Sequence, residues 1–194
     1  MPAINRKLII DNNSLVDFFN YYYFDRDNGN KIYSDIKNFL FQKINSGEII
    51  IIDKIFKEFT YIDFRKDLKD IKSTIKPFIV NTEHLIQEVE QLSQDHYLEY
   101  NERFLQDKSL IVAEMDKILN GADLYLIALC KEYKKDDKIY PILVSEETTR
   151  KTNYQKLIDK IPSICNKEGI ECVRLPHSLF NIYKDELEFD LKIK

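Results

Sequence analysis

Gly47-Glu48-Ile49-Ile50-Ile51-Ile52-Asp53 decides the fold class. Four consecutive isoleucines leave no polar face, so a strand made from them is covered on both sides, as strands of parallel sheets are. A glycine turn stops whatever precedes the run, and Asp53 is placed to cap a helix after it. On the amino-terminal side, Ile32, Ile36, Phe39, Leu40 and Ile44 recur at helical spacing up to Asn45-Ser46-Gly47. Ile55, Phe56 and Phe59 continue the helical pattern on the other side.

The same alternation extends in both directions. Lys7–Ile10 reads as a buried strand ending at Asp11, followed by a helix with apolar positions at Leu15, Phe18, Phe19 and Tyr22. Asn13 or Ser14 is placed to cap it, with Asp17 completing a capping box. Asn28-Gly29-Asn30 reads as a loop. Phe78–Val80 is a weaker strand, and Thr82 opens a charged helical stretch to about Leu105. Beyond Gly121, Ala122–Glu132 is an apolar helix, Ile139–Val144 a strand, Pro162 a helix start and Gly169 its end. Ile170–Arg174 is the last strand and Ser178–Leu187 a terminal helix. Strands alternating with helices in this way predict βαβ units and one α/β domain over residues 1–194, with a mostly parallel central sheet and a helical insertion across roughly 82–120.

The bulk properties bound the function. The chain has 194 residues, 29 Lys+Arg against 33 Asp+Glu, and a formal net charge of −4. A protein held on nucleic acid by overall positive field is thereby disfavoured. The longest apolar runs fall short of the roughly 20 residues of a membrane helix, and no signal-peptide pattern precedes Asp11. The expectation is a cytoplasmic protein with no membrane partner. Three cysteines, Cys130, Cys165 and Cys172, lack metal-ligand spacing and read as free structural thiols. His84, His96 and His177 read as surface or packing residues. Lys131, Lys134, Lys135 and Lys138 read as a solvated helix end. No Walker loop or GxGxxG is present, which removes support for nucleotide-binding enzymes.

Open α/β sheets collect reactive groups at the carboxyl ends of their strands. Asp11 ends the first strand, Glu146 and Glu147 follow the Ile139–Val144 strand, Glu58 lies in the helix after the isoleucine run, and Asp123 opens an apolar helix. Taken singly, each is a cap, a helix-dipole acid or a solvated side chain. Taken together they are more specific, because close carboxylates repel by on the order of 1–4 kcal/mol per pair unless a hard cation neutralises them.

These residues carry a resemblance. Leu8-Ile9-Ile10-Asp11-Asn12-Asn13-Ser14-Leu15-Val16 resembles the opening strand of a PIN domain, and Glu58 matches the PIN glutamate after the second strand. Gly121-Ala122-Asp123-Leu124 resembles the helix start that supplies the third acid. Ile142-Leu143-Val144-Ser145-Glu146-Glu147 resembles the strand end that supplies the fourth, with Ser145 in place of the commoner Thr and Glu146 competing with Glu147. Tyr22-Tyr23-Phe24-Asp25, Lys160–Cys165 and Gly169–Cys172 are similar to an uncharacterised prokaryotic PIN-like family. The resemblance implies a three-layer PIN-like fold and a ribonuclease dependent on Mg²⁺ or Mn²⁺, the toxin of a type II toxin–antitoxin pair. Asp11, Glu58, Asp123 and Glu147 would be its metal ligands, with Asn13, Ser145 and Glu146 in support and Asn13 orienting Asp11. RNA is the implied substrate, with an antitoxin protein and a second copy of the chain as candidate partners. The alternative is a catalytically inactive PIN-like module used for binding. Tyr21–Phe24 could stack on bases, or pack; Thr148–Lys151 could touch phosphate, or form a solvated loop.

Overall fold

The structure is a computed structural model that describes residues 5–21, 31–58, 72–98, 108–148, 157–175 and 181–186; of 17–21, 31–36 and 108 it describes the backbone. Its centre is a four-stranded, all-parallel sheet in the order β2-β1-β3-β4. The strands are β1 (Asn5–Ile10), β2 (Ile49–Ile50), β3 (Ile139–Val144) and β4 (Glu171–Val173). Helices flank the sheet in a three-layer α/β arrangement: α1 (Asn12–Tyr21), α2 (Lys31–Asn45), α3 (Asp53–Glu58), α4 (Ile86–Asp95), α5 (Lys108–Asn120), α6 (Asp123–Tyr133) and α7 (Ile161–Glu168).

The isoleucine run behaves as its composition dictates. Ile49 through Ile52 are all buried. Only Ile49 and Ile50 form the ladder with β1, pairing Leu8↔Ile49 and Ile9↔Ile50. Ile52 makes a separate parallel bridge to Val80. The expected strand at Phe78–Val80 is thus reduced to that one bridge, because Lys76–Phe78 closes a 3₁₀ turn around Pro77. The central strands β1 and β3 pair along their whole length, from Asn5↔Ile139 to Ile10↔Val144. This register puts Asp11 and Ser145 side by side at the sheet's carboxyl edge.

α6 is buried continuously from Leu124 to Cys130. A helix apolar all round belongs in a core, and α6 packs against β1, β3, α4 and α7. Its start is fixed by Gly121: a Cβ there would stand 2.9 Å from the Lys117 carbonyl, so only glycine lets α5 run straight into α6. Asp123 is thereby set, exposed, on the first residue of the core helix. α7 begins with Pro162 near its N-terminus, where no N–H is needed. It ends at Gly169, whose φ of 63° is the left-handed conformation glycine adopts without strain.

Several local expectations are corrected. α1 starts at Asn12, with the Leu15 N–H on the Asp11 carbonyl at 3.1 Å, so Asp11 occupies the cap position. Ser14 does not cap: its hydroxyl reaches across to the Val144 carbonyl at 3.4 Å. Asp53 opens α3, and its carboxylate accepts hydrogen bonds from the Thr82 N–H and hydroxyl and from the Lys57 ammonium one turn along the helix. The helix after Thr82 ends at Asp95, and Tyr97 bridges antiparallel to Ile158 instead of extending it. The final strand is Glu171–Val173, shorter than expected. In the described part of the terminal segment only Asn181 and Ile182 are helical before the chain turns. Asn28-Gly29-Asn30, Tyr22–Phe24, Thr149–Lys151 and His177 lie outside the described residues, as do the side chains of Asp17 and Tyr21. Among the described residues, no helix is long and apolar enough to cross a membrane.

Candidate functional site

Asp11 is the hub of the carboxyl edge. It is 4% exposed, pinned by its own N–H on the Val144 carbonyl at 2.9 Å. Its side chain accepts a hydrogen bond from the Asn12 backbone N–H and a long one from Ser145 Oγ at 3.4 Å. Asn13, expected to orient Asp11, is exposed and gives it no hydrogen bond; Asn12 and Ser145 take that place. The Asp11 carboxyl is pushed up to about 7, first by burial and next by the charge of Asp123. The Asn12 N–H opposes the rise, while Glu147 and Glu58 add to it.

Four carboxylates from four separate segments therefore act on one another here. Glu58, at the end of α3, is half-buried and also raised above the ordinary glutamate range, by burial and then by Asp123; the Ala122 N–H offsets part of this. Ala122 directly precedes Asp123, so a single α5–α6 junction holds Glu58 and presents Asp123 to it.

The two candidates for the fourth acid separate cleanly. Glu146 Oε1 accepts the Leu175 N–H at 3.0 Å and so serves the chain after β4. Glu147 is folded back by its own N–H on Ser145 Oγ at 3.2 Å, and its Oε2 accepts the Ile161 N–H at the start of α7, 3.1 Å away. Glu147 is the one whose charge reaches Asp11.

Among the described residues, no three His, Cys, Asp or Glu side chains are grouped closely enough to hold a metal ion as they stand. The four acids meet at electrostatic range. One more acceptor directly follows Asp11 in sequence: Asn12 Oδ1 is buried and has no hydrogen-bond donor. Buried acceptors without donors are rare in folded proteins. An all-oxygen set of carboxylates has the composition that suits a hard divalent cation.

The remaining polar residues of the sequence reading find structural work. His84 pairs with Glu132 at 2.9 Å on the surface. His96 is buried and pairs with Glu168 at 2.8 Å. Lys131 is not a solvated helix end: it bridges Glu88 and Glu168 at 2.7 and 2.9 Å, joining α4, α6 and α7. Lys134 Nζ donates to the Glu168 and Gly169 carbonyls, while Lys135 and Lys138 are exposed. All three cysteines are free thiols. The Asn12 oxygen and the Lys131 network were not foreseen, because their partners, or lack of them, are set by distant chain.

No curated protein and no solved structure matches the chain. Residues 8–181, which contain all four acids of the carboxyl edge, match the family described as a domain of unknown function, DUF4411, and the chain belongs to that family.

Proposed function

We propose that this protein is a metal-dependent endoribonuclease of PIN-like type, hydrolysing RNA phosphodiester bonds as the toxin of a type II toxin–antitoxin system, with an antitoxin protein as partner. The observation that carries the reading is the mutual electrostatic strain of Asp11, Glu58, Asp123 and Glu147 at the carboxyl edge of a parallel sheet. Such strain is relieved by Mg²⁺ or Mn²⁺, and Asp11, Glu58, Asp123 and Glu147 would be the residues that hold it. When bound, the ion supplies a lowered pKa for a coordinated water and positive charge near the scissile phosphate. The chain's own part is positioning. Ser145 and the Asn12 N–H fix the Asp11 carboxylate, Ser145 Oγ folds Glu147 back toward it, and Gly121 fixes where Asp123 projects.

The test is cleavage of unstructured RNA with chelator, Mg²⁺ or Mn²⁺. Changing a group behind a metal ligand typically lowers activity about 10–100-fold, so removing a ligand is expected to do more. Asp123→Asn should lose about 100-fold or more while keeping the fold, and an undiminished rate would remove Asp123 from the site. In the same assay Glu147→Gln should fall far below Glu146→Gln; the reverse order would move the fourth ligand to Glu146.

A specific observation favours a second reading, a PIN-like module that binds without cleaving. The Glu147 carboxylate is already engaged by the Ile161 N–H. This reading requires that Mn²⁺ leave the melting temperature unchanged and that no RNA be cut.

A further inference from the structure

At the opposite end of the strands from Asp11 lies a cavity of about 810 Å³, within the roughly 300–1,000 Å³ of small-ligand pockets. Its floor is the amino end of the sheet. The pairings Arg6↔Tyr140 and Ile142↔Glu171 set Arg6, Tyr140, Ile142 and Glu171 on one face, since paired residues, and residues two apart on a strand, share a face. Tyr183, from the segment 181–186, forms part of the wall. It is 4% exposed, its ring meets Phe39 edge-on at 5.2 Å, and its hydroxyl is buried with no hydrogen-bond partner. A buried hydroxyl left unpaired is costly, and such groups are rare unless a ligand or other function accounts for them.

The charges around that hydroxyl fall into two sets. Glu48 and Glu186 line the cavity, but the Lys43 ammonium holds both, at 2.8 and 2.6 Å, and stands 4.8 Å from the centre of the Tyr183 ring. Arg6 and Glu171 are exposed, and neither has an ion-pair partner among the described residues. The register sets their Cα atoms two strands apart and two residues out of step, roughly 12 Å in all. Burial raises the Tyr183 phenol, Glu48 and Glu186 add to the rise, and Arg6 opposes it, so the guanidinium is in electrostatic range of the hydroxyl. Among the described residues, Arg6 and Lys43 thus face Glu48, Glu171 and Glu186. That excess of negative charge disfavours a dianion such as a nucleotide phosphate, whereas a neutral molecule with one charge of each sign matches the free pair. Ile142, Ile182 and the tyrosine rings offer apolar surface to its body.

We propose that this cavity binds a small zwitterion of amino-acid type with an apolar side chain, free or as a short peptide. Its carboxylate accepts hydrogen bonds from the Arg6 guanidinium, whose fork suits a carboxylate, with the Tyr183 hydroxyl as the further donor. Its ammonium donates to Glu171. The proposal stands apart from the nuclease reading, because the acid edge lies at the other end of β1.

The experiment is calorimetric titration of the full chain with leucine and with alanyl-leucyl-alanine, each compared with its N-acetylated and its C-amidated form. At least one of the two zwitterions should bind, and which one does names the source. Capping either end should weaken it about tenfold or more, the range for a lost hydrogen bond to a charged group. Arg6→Gln should no longer distinguish the free carboxylate from the amide, and Glu171→Gln should no longer distinguish the free amine from the acetylated form. Tyr183→Phe keeps the ring on Phe39 and Lys43; it should melt no lower than the parent without ligand, yet bind severalfold more weakly. The capped ligands on the parent chain decide the matter even if a variant folds poorly. The proposal is overturned if neither zwitterion binds at millimolar concentration, if the capped forms bind as well as the free ones, or if Arg6→Gln or Tyr183→Phe leaves the affinity unchanged.

Discussion

Asp11 and Asp53 are the same residue in the same position of two neighbouring βα units, and they have opposite electrostatic fates. Each directly follows a run of buried isoleucine at the carboxyl edge and stands at the start of a helix. Burial would raise both. At Asp53 that effect is outweighed by the Thr82 hydroxyl at 2.6 Å, the Lys57 ammonium at 3.3 Å and the Thr82 N–H at 3.1 Å, which hold the carboxyl below its ordinary range. Asp11 has one backbone N–H and one long serine hydrogen bond, and it faces three other acids, so it is pushed up to about 7. Asp53 is neutralised within the chain and ties α3 to the segment before α4. Asp11 is left in deficit, and the proposed cation site would draw on that deficit.

The largest expected difference between the two lies in their pH dependence. The folded pKa of Asp11 is raised, so its contribution to stability is fully present below the unfolded value of 3.8 and is lost as pH rises through about 7. The gap corresponds to about 4 kcal/mol at 1.36 kcal/mol per unit. In chelator, Asp11→Asn should therefore melt higher than the parent at pH 8 and close to it at pH 4. A variant destabilised equally at both would make Asp11 a simple helix cap. Asp53 has the opposite sign: its contribution is present above the unfolded value and lost as pH falls through its depressed folded one. The next effect in size is the loss of its tie to Thr82. Asp53→Ala should cost about 2 kcal/mol at neutral pH, the range for hydrogen bonds to a charged group, read as a lower denaturant midpoint. No gain at pH 8 is expected, and a gain there would erase the contrast with Asp11.

The parts of this contrast legible in the sequence are those that chain-local patterns specify. The isoleucine run, the Ile139–Val144 strand, Pro162 at the start of α7 and Gly169 at its end needed no knowledge of distant chain. The acids were also legible, because the carboxyl-edge rule and the spacing of the motifs point to the same edge. What a residue does once there was less readable. Asp53 was expected to cap a helix, yet its shortest hydrogen bond is to Thr82, 29 residues away. Asn13 or Ser14 was expected to cap α1, yet Asp11 holds the cap position and the Ser14 hydroxyl spans 130 residues to Val144. Asn13 was expected to steer Asp11, yet the Asn12 backbone and Ser145 do so, because the cap of α1 is Asp11, two residues before the earlier of the two expected caps. Short polar side chains have several partners within reach, and tertiary contact rather than periodicity selects among them.

The central claim is that Asp11, and not Asp53, belongs to a cation site. Its most direct test is a melting series at pH 8 in chelator and in millimolar Mn²⁺ for the parent, Asp11→Asn and Asp53→Asn. Binding to the native state alone stabilises by about 2.7 kcal/mol at a hundredfold excess over Kd. The parent and Asp53→Asn should each gain from Mn²⁺ to a similar extent, and Asp11→Asn should gain little or nothing. An unchanged parent, or an Asp11→Asn gain equal to the parent's, would contradict the account.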